Sequence, residues 1–379
     1  MQLSETIKLY MTKDQKDHVI NTMNEYIRTV NSIVAVAVNG TSISKYTTAD
    51  VNAALPSALK NQCIRDAKSI INRYNKACRK ISAKNKKLAK LKSGIMIKEP
   101  SVPVLKRPCF YVNNQNFRIK DNYIEFPVLI NGKSKRISIR TSMTDKQKLI
   151  FHANSKLGTM RIVYKGNKIV AQVVYNVAES EYSDDGDVMG IDLGIKCPAV
   201  SYISDGSVKF FGNGRKNKYI RRHYNYLRRK LQKAKQLETV KRINNKEQRI
   251  MKDIDHKLSH DIIETAVSHN VKTIKLERLA NIRSTTRTSR KNNHNLHTWS
   301  FYRLAQYIEY KARLAGIKVE YVNPSYTSQT CPVCGSIHHA NDRNYTCKCG
   351  FHTHRDLLGA MNICNSTEYV GDNNIRHTA

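Results

Sequence analysis

The chain has 379 residues, with 65 Lys and Arg against 30 Asp and Glu, which gives a formal net charge of +35 at pH 7. A charge of this size favours a polyanionic partner, because each phosphate contact releases condensed counterions. The sequence contains no run of about 20 apolar residues and no secretory leader, which argues against a membrane partner. These features together predict a soluble protein that binds nucleic acid.

The first hundred residues combine one short apolar strand with two helices. Residues 1–12 contain the strand, and residues 13–100 repeat apolar side chains at helical spacing, with a second helix starting after Pro56. This second helix runs into a lysine-rich tail that ends at Gly94. The tail is explained either by a solvated helix end or by contact with a phosphate backbone, and the chain's overall charge favours the second interpretation.

The next segment, residues 101–182, changes to a period of two. Hairpin turns are indicated at Asp121-Asn122, at Asn131-Gly132 and at Lys165-Gly166-Asn167, each between two apolar alternating runs. Three consecutive hairpins predict an antiparallel β unit, which we interpret as a small barrel. The polar run at 183–187 is then a linker, so a domain boundary is expected there.

Beyond the linker the pattern is α/β. A short strand from 188 leads into a hairpin with its turn at Asp205-Gly206, and one long basic helix is predicted over 216–268. A buried strand at 271–276, a helix at 298–315 and a strand at 317–322 follow. Between 215 and 249 the sequence has fourteen Lys or Arg and only two Glu, which favours contact with nucleic acid over a merely solvated helix face. Residues 284–295 are interpreted as a mobile basic loop.

Four of the nine cysteines lie within nineteen residues: Cys331, Cys334, Cys347 and Cys349. Two knuckles that each end in glycine let thiolates converge on one ion, and a complete set of four thiolates leaves no open position. We therefore predict a structural Zn²⁺ in a zinc ribbon. The second knuckle has one spacer residue where the first has two, so His352 or His354 remains an alternative to Cys349 as the fourth ligand.

Three acidic residues stand out by their context. Asp192 and Glu277 lie on apolar strands, where an unpaired carboxylate is costly to bury, and Asp356 lies where the last helix is expected to start. Any one of them could be explained by a salt bridge or a helix N-cap. As a set, they predict an RNase H-like nuclease whose carboxylates hold two divalent ions about 3.5–4 Å apart. Oxygen ligands with an open position point to Mg²⁺ or Mn²⁺.

These residues lie in motifs that resemble the TnpB proteins of insertion sequences, which are related to type V CRISPR effectors. Residues 190–196 (GIDLGIK) resemble the first RuvC motif, residues 276–283 the second, and residues 355–363 the third. Two further stretches, 299–316 and 323–331, resemble the helix before the zinc ribbon and the entry to the ribbon. The chain departs from the family at Arg278, where an acid is common, and at Leu358, where Asn is common.

The resemblance implies a multidomain α+β fold, in which a helical recognition domain is inserted in a β-barrel wedge domain and is followed by a RuvC α/β nuclease domain with an inserted zinc ribbon. The expected boundaries are 1–12 for the first wedge strand, 13–100 for the recognition domain, 101–182 for the wedge barrel, 187–325 for the first two nuclease motifs, 326–352 for the ribbon, and 353–379 for the third motif and the tail.

The resemblance also implies an activity. The expected activity is that of an RNA-guided endonuclease that cuts double-stranded DNA beside a short adjacent motif. Its catalytic, magnesium-binding residues would be Asp192, Glu277 and Asp356. A guide RNA derived from the mobile element and target DNA are the expected partners, in the prokaryotic cytoplasm or on the nucleoid. A monomer is favoured over a protein oligomer, and both remain open. The alternatives are a nuclease-inactive, RNA-guided regulator that only binds DNA, and a basic zinc-ribbon protein that uses no guide.

Overall fold

The computed structural model describes residues 1–91, 94–152, 156–165, 168–243, 245–279, 296–340 and 342–370. The chain forms two compact units, Met1–Val177 and Ala178–Ala379. The predicted basic loop at 284–295 and the turn at Gly166-Asn167 lie outside the described residues. Within the described ranges, no helix is both long and apolar enough to cross a membrane.

The first unit is a seven-stranded antiparallel sheet with three helices. Its elements in chain order are β1 (Gln2–Tyr10), α1 (Lys13–Val38), α2 (Ser57–Lys90), β2 (Cys109–Val112), β3 (Arg118–Lys120), β4 (Tyr123–Ile130), β5 (Lys133–Ser142), α3 (Asp145–His152), β6 (Leu157–Lys165) and β7 (Lys168–Asn176). The strand order is β2-β6-β7-β1-β5-β4-β3. Because β1 pairs with both β7 and β5, helices α1 and α2 are an insertion between the first strand and the rest of this sheet.

The first two hairpins form at the predicted turns. Asp121 has a φ of 41° between β3 and β4, and Asn131 and Gly132 have φ values of 49° and 73° between β4 and β5. Positive φ at both central residues is the requirement of a tight hairpin turn, and Asn and Gly accept it readily. In the described residues β2 and β3 are the two ends of the sheet, so a closed barrel stays a prediction.

The core of the first unit lies between the sheet and the faces of α1 and α2. Helix α1 begins with a capping box, in which Thr12 and Gln15 satisfy each other's backbone amides. Of the apolar stripe predicted at helical spacing, Val19, Met23, Tyr26 and Val30 are fully buried, whereas Ile27 is half-buried. The hydroxyl of Tyr26 donates a hydrogen bond to Asp66 of α2 at 2.9 Å, so the two helices are also joined by a polar contact.

The second unit is an α/β layer structure with a small two-stranded sheet. Its elements are β8 (Asp187–Asp192), β9 (Ala199–Ile203), β10 (Val208–Phe211), α4 (Gly214–Lys233), α5 (Leu237–Ile243), α6 (Lys246–Ser268), β11 (Val271–Glu277), α7 (Phe301–Leu314), β12 (Lys318–Val322), β13 (Asn344–Thr346), β14 (His352–His354) and α8 (Arg355–Asn365). The five-stranded sheet has the order β10-β9-β8-β11-β12. Strands β8, β9 and β10 are antiparallel, whereas β11 runs parallel to both β8 and β12.

Alternation along β8 gives its two faces different neighbours. Met189 and Ile191 are fully buried in the apolar cluster that includes side chains of α6 and α7. Gly190 points the other way, toward α8, where a Cβ atom would lie 2.3 Å from the carbonyl oxygen of Ala360 and 2.3 Å from the amide nitrogen of Cys364. Because only glycine allows this approach, α8 lies directly against the centre of the sheet.

The prediction of one long helix over 216–268 is wrong, since the segment forms α4, α5 and α6. Helix α4 ends because Lys235 adopts a left-handed conformation with a φ of 54°. The amide of Gln236 then donates to the carbonyl of Leu231 at 2.9 Å, which is the closing hydrogen bond of a Schellman motif. This position is usually glycine, so the lysine gave no sequence signal. The chain then folds back, and Arg228 of α4 forms an ion pair with Glu247 of α6 at 2.7 Å.

Candidate active site and metal centre

Two of the three predicted acids lie at the same edge of the five-stranded sheet. Strands β8 and β11 are parallel neighbours, and Ile191 is paired in register with Leu276. Asp192 and Glu277 each follow these paired residues and end their strands. The carboxyl ends of adjacent parallel strands therefore bring the two side chains to one place, as the sequence pattern predicted.

The third acid, Asp356, lies in the first turn of α8 and is 9% exposed. The cap of this helix is His354, whose Nδ1 accepts a hydrogen bond from the Asp356 amide at 3.2 Å. The alternative of Asp356 as an N-cap is therefore wrong. Its carboxylate instead accepts hydrogen bonds from the guanidinium of Arg343, so the salt-bridge alternative describes a real contact of this residue.

The electrostatics of the three acids link them to one another. Burial raises the pKa of Asp192 well above its ordinary value, and the negative charges of Glu277 and Asp356 raise it further. Arg343 and Arg355 act in the opposite direction. Burial also raises the pKa of Glu277, although a hydrogen bond from the hydroxyl of Thr327 stabilises its charged form. Asp192 and Glu277 are therefore partly desolvated, and Asp192 is repelled by both other acids, so a bound cation there would be stabilising.

The chemistry of this centre suits a hard cation, because every candidate ligand is a carboxylate oxygen. The carboxylate oxygens of the three acids do not all lie within 4.8 Å of one another, although Asp192 is close enough to feel the charges of the other two. In the part of the chain that the structure describes, the only group of three or more His, Cys, Asp or Glu side chains with ligand atoms within 4.8 Å of one another is the set of four cysteines. The ion pair between Arg343 and Asp356 occupies one carboxylate of the acidic centre.

Two residues that the sequence analysis did not single out hold α8 in place. Gly359 lies against Asp192, since a Cβ atom there would be 3.3 Å from the carboxylate carbon. Lys275 is a buried lysine of β11, and its Nζ donates to the carbonyls of Cys364 at 2.9 Å and Ser366 at 2.8 Å. A lysine between two apolar residues, two positions before Glu277, was the available signal for this contact.

The four predicted cysteines converge. The Sγ atoms of Cys331 and Cys349 are 3.6 Å apart, and those of Cys334 and Cys347 are 3.5 Å apart. Tetrahedral zinc with bonds of about 2.3 Å requires sulfur separations of about 3.8 Å, so the arrangement fits this ion. The carbonyl of Cys331 accepts from the amide of Gly335, and that of Cys347 from Gly350, which closes one tight turn in each knuckle.

The two histidines considered as alternative ligands lie outside the cysteine group. His352 and His354 are the ends of β14, which pairs with β13 beside the cysteines. His354 instead caps α8. The amide of Arg355 donates to the carbonyl of Arg343 at 2.7 Å, so the ribbon runs without a break into the helix that carries Asp356.

Comparison with known proteins gives two family matches. Residues 172–283 match the model described as "Probable transposase", and residues 301–363 match the model described as "Cas12f1-like, TNB domain". The first match includes Asp192 and Glu277, and the second includes the cysteines and Asp356. The two matches thus cover all of the predicted site residues.

Individual relatives agree with these matches. A TnpB-like protein of Methanocaldococcus jannaschii is 31% identical over 259 residues, which cover 64% of this chain and 91% of that protein. The CRISPR-associated endodeoxyribonuclease Cas12f1 of Sulfoacidibacillus thermotolerans is 26% identical over 257 residues, covering 62% of this chain but only 57% of that protein.

Solved structures show that the fold is shared more widely. A Cas12f1–sgRNA–target DNA complex aligns over 93% of this chain and 81% of its own, with a TM-score of 0.62 and 17% identity. The mini-RNA-guided endonuclease CRISPR-Cas_phi3 aligns over 96% of this chain and 92% of its own, with a TM-score of 0.52 and 11% identity. The protein thus has a multidomain α/β fold of the type V effector kind. Within that class, the chain belongs to the family of TnpB-like proteins.

Proposed function

We propose that this protein is an RNA-guided DNA endonuclease that cuts double-stranded DNA beside a short adjacent motif. The observation that carries the proposal is that Asp192 and Glu277 end neighbouring parallel strands in register, with the buried Asp356 close enough for its charge to raise the pKa of Asp192. A structural role does not account for this arrangement, because buried like charges destabilise the fold that contains them. The name of one relative, an endodeoxyribonuclease, supports the same reaction.

The three acids would hold two divalent cations, Mg²⁺ or Mn²⁺, in an RNase H-like site of the RuvC type. Such ions activate a water and stabilise the leaving oxygen of a phosphodiester. Asp192, at the end of the central strand, would hold an ion from the middle of the group, and Glu277 and Asp356 would reach it from β11 and α8. Thr327 orients Glu277, and Arg343 holds Asp356.

The four cysteines would hold a structural Zn²⁺. With four thiolates and no open position, the ion supplies folding energy and no reaction step. Since the ribbon continues directly into α8, its order fixes the start of the helix and so the place of Asp356. The ribbon therefore supports the nuclease centre through the backbone between Arg343 and Arg355.

The proposed partners are a guide RNA from the mobile element and the target DNA. A protein that leaves the reading of sequence to base pairing mainly holds phosphate backbones, which is consistent with a net charge of +35. The first unit is proposed to contain the wedge barrel and the inserted recognition helices, and the second the nuclease domain, with the boundaries expected from the sequence.

The test has two parts, both with the full chain. RNA that co-purifies with the protein is sequenced, and a single defined species is expected, whereas random fragments would contradict the role of a guide. The purified complex is then given plasmid DNA with a matching target and Mg²⁺. The Asp192→Ala, Glu277→Ala and Asp356→Ala variants should bind the target but leave it intact. Asp261→Ala, which changes an acid on the outer part of α6, is the matched control and should cut. Guide-dependent binding of intact DNA by the unmodified protein would instead indicate the non-cutting regulator.

A further inference from the structure

A cavity of about 40 Å³ lies beside the start of α4, at the end of β8 beyond Asp192. Its walls come from the β8–β9 loop, α4, α6, the segment before α7 and α7 itself, and include Gly194, Lys218, Arg221, Asp255 and Trp299. One water needs about 10–15 Å³, so the cavity has room for several waters or for a small oxyanion.

Two cations of this cavity have no counterion of their own. Lys218 and Arg221 are one turn apart on α4, and neither side chain has a hydrogen bond or an ion pair in the part of the chain that the structure describes. Burial lowers the pKa of both side chains, and the neighbouring cations Lys196 and Arg303 lower the pKa of Lys218 and of Arg221 respectively. A half-buried guanidinium normally finds an acceptor, because its five donors are costly to leave unpaired.

The nearby carboxylates are already paired. Asp255, which is 3% exposed, accepts from Arg303 at 2.8 Å, and Glu247 is in contact with Arg228 at 2.7 Å. Arg221 feels the field of both acids but bonds to neither. The local set therefore comprises four cations (Lys218, Arg221, Arg228 and Arg303) against two carboxylates, which leaves an excess of positive charge.

The cavity adjoins the acidic centre. Gly194 is two residues beyond Asp192, and a Cβ atom there would lie 2.6 Å from the carbonyl oxygen of Cys197, which keeps the loop tight. On the other side, the charge of Arg343, which binds Asp356, contributes to the shift in the pKa of Lys218. Arg343 and Lys218 thus place positive charge between the acids and the cavity, and the carboxylate of Asp255, which also lines the cavity, is paired with Arg303.

We propose that this cavity is a phosphate-binding subsite, in which Lys218 and Arg221 hold a backbone phosphate of the strand being cut, next to the phosphodiester at the acids. The subsite deepens the proposed function and rests on it for the identity of the natural ligand. The unpartnered guanidinium offers two parallel N–H donors to one phosphate, and Lys218 adds a point charge. A phosphate held there fixes the strand's register relative to Asp192.

The test uses Trp299, the only tryptophan of the chain, as a reporter in the wall of the cavity. The full-length protein, freed of nucleic acid, is titrated with inorganic phosphate at constant ionic strength while tryptophan fluorescence is followed. A saturable change is expected, and Arg221→Gln should weaken the apparent affinity by about tenfold, since one charge-assisted hydrogen-bond pair is lost. Lys218→Gln, a milder change at a less buried position, should weaken it by about threefold.

Arg229→Gln is the matched control, because it removes the same charge from an exposed position of α4 that does not line the cavity. It should leave the phosphate titration unchanged. Equal curves for the unmodified protein and Arg221→Gln, or equal weakening by Arg229→Gln, would overturn the subsite. The Asp192→Ala variant separates this proposal from the nuclease: it should titrate normally with phosphate even if no cleavage is ever observed. In cleavage assays, Arg221→Gln should raise the DNA concentration for half-maximal rate more than it lowers the maximal rate.

Discussion

Arg343 of the cysteine ribbon donates through one guanidinium nitrogen to both carboxylate oxygens of Asp356. The backbone repeats the connection, since the amide of Arg355 donates to the carbonyl of Arg343. The ribbon is thereby tied to the first turn of α8 by a charge pair and by a main-chain hydrogen bond. Loss of either link should disturb the position of the Asp356 carboxylate.

The charge pair predicts the effect of Arg343→Gln. Without Arg343, the nearly buried Asp356 carboxylate loses its counterion, so the free energy of unfolding of the metal-free protein should fall by about 1–2 kcal/mol, a figure reduced for the partly exposed arginine. Millimolar Mg²⁺ should narrow the difference, because the ion supplies the missing positive charge.

Thermal unfolding with and without Mg²⁺ measures this. Arg313→Gln is the control, since it removes an exposed partner at spacing i, i+4 from Glu309 and should cost only about 0.3–0.5 kcal/mol. Equal losses for the two variants, with no effect of Mg²⁺, would show that Asp356 does not depend on Arg343.

The positions of the two strand acids could be predicted from sequence, whereas the role of Arg343 could not. Apolar runs that end in Asp192 and Glu277 indicate buried parallel strands, and parallel strands bring their carboxyl ends together. Arg343 has no such pattern, because its contact with Asp356 depends on how the β13–β14 hairpin returns the chain beside α8. The conformation of the segment between Arg343 and Asp356, and not a local propensity, determines which arginine contacts Asp356.

Zinc removal should disrupt the ribbon before the rest of the protein. Cys331→Ser leaves three thiolates, so the zinc content should fall well below one ion per chain and residues 331–354 should lose protection from amide hydrogen exchange. Cleavage should fall by about tenfold or more, because the ribbon that leads into Asp356 is no longer ordered. Binding of RNA should be retained.

Cys78→Ser on α2 is the control for the loss of a thiol outside the cluster, and it should keep both zinc and cleavage. Full cleavage by a zinc-free protein whose ribbon amides are no longer protected from hydrogen exchange would disprove the structural role of the ion.

Charge repulsion in the acidic centre predicts that Asp192→Asn stabilises the protein. Because the folded-state pKa of Asp192 is raised, the native state retains this proton to higher pH than the unfolded state does, and stability falls as the pH rises through that interval. Asp192→Asn does not lose stability in this pH interval, because the amide does not ionise. Its melting temperature should exceed that of the unmodified protein at pH 7–8, by about 2–4 °C for each kcal/mol regained, and the difference should vanish near pH 4.

Asp205→Asn provides a contrast of opposite sign. Backbone and side-chain hydrogen bonds with Ser207 lower the pKa of Asp205, so its carboxylate contributes stability above the unfolded-state pKa and loses it as the pH falls. This variant should therefore be slightly less stable at pH 7, by an amount that disappears in acid. Melting curves of both variants and of the unmodified protein are recorded at pH 4 and pH 7.5 without divalent ions. They show whether the two substitutions change the melting temperature in opposite directions.

Gly359→Ala tests the close approach of α8 to Asp192. Alanine favours a helix by about 1 kcal/mol over glycine, which offsets the cost of a contact at 3.3 Å, so stability should change little. The Asp192 carboxylate must nevertheless give way by a few tenths of an ångström. Single-turnover cleavage should slow by about tenfold, since misplacement of a reacting group by 1 Å can cost about a hundredfold.

Gly190→Ala, on the facing strand, is the informative comparison. Its Cβ would meet backbone atoms at 2.3 Å, and backbone cannot rotate away, so this variant should lose stability as well as cleavage. If Gly359→Ala cuts at the normal rate, the packing of α8 does not control Asp192. Neither glycine could be distinguished from a loop or turn glycine by sequence alone, because the requirement comes from a contact between elements far apart in the chain.

Lys275 gives the last prediction, since it joins the strand of one acid to the helix of another. Its ammonium group donates to the carbonyls of Cys364 and Ser366 at the C-terminal end of α8, where a positive charge is also favoured by the helix dipole. Lys275→Met keeps the apolar stem but leaves both carbonyls without this donor, so the free energy of unfolding should fall by about 1.5–3 kcal/mol. Amide exchange at 359–365 should accelerate more than exchange in β11. Lys272→Met is the control, because among the described residues the Lys272 ammonium donates one hydrogen bond, to the carbonyl of Asp184 at 3.0 Å, at the far end of the same strand. Cleavage should slow in Lys275→Met and stay normal in Lys272→Met. Equal exchange rates in α8 for the two variants would show that Lys275 does not hold the helix.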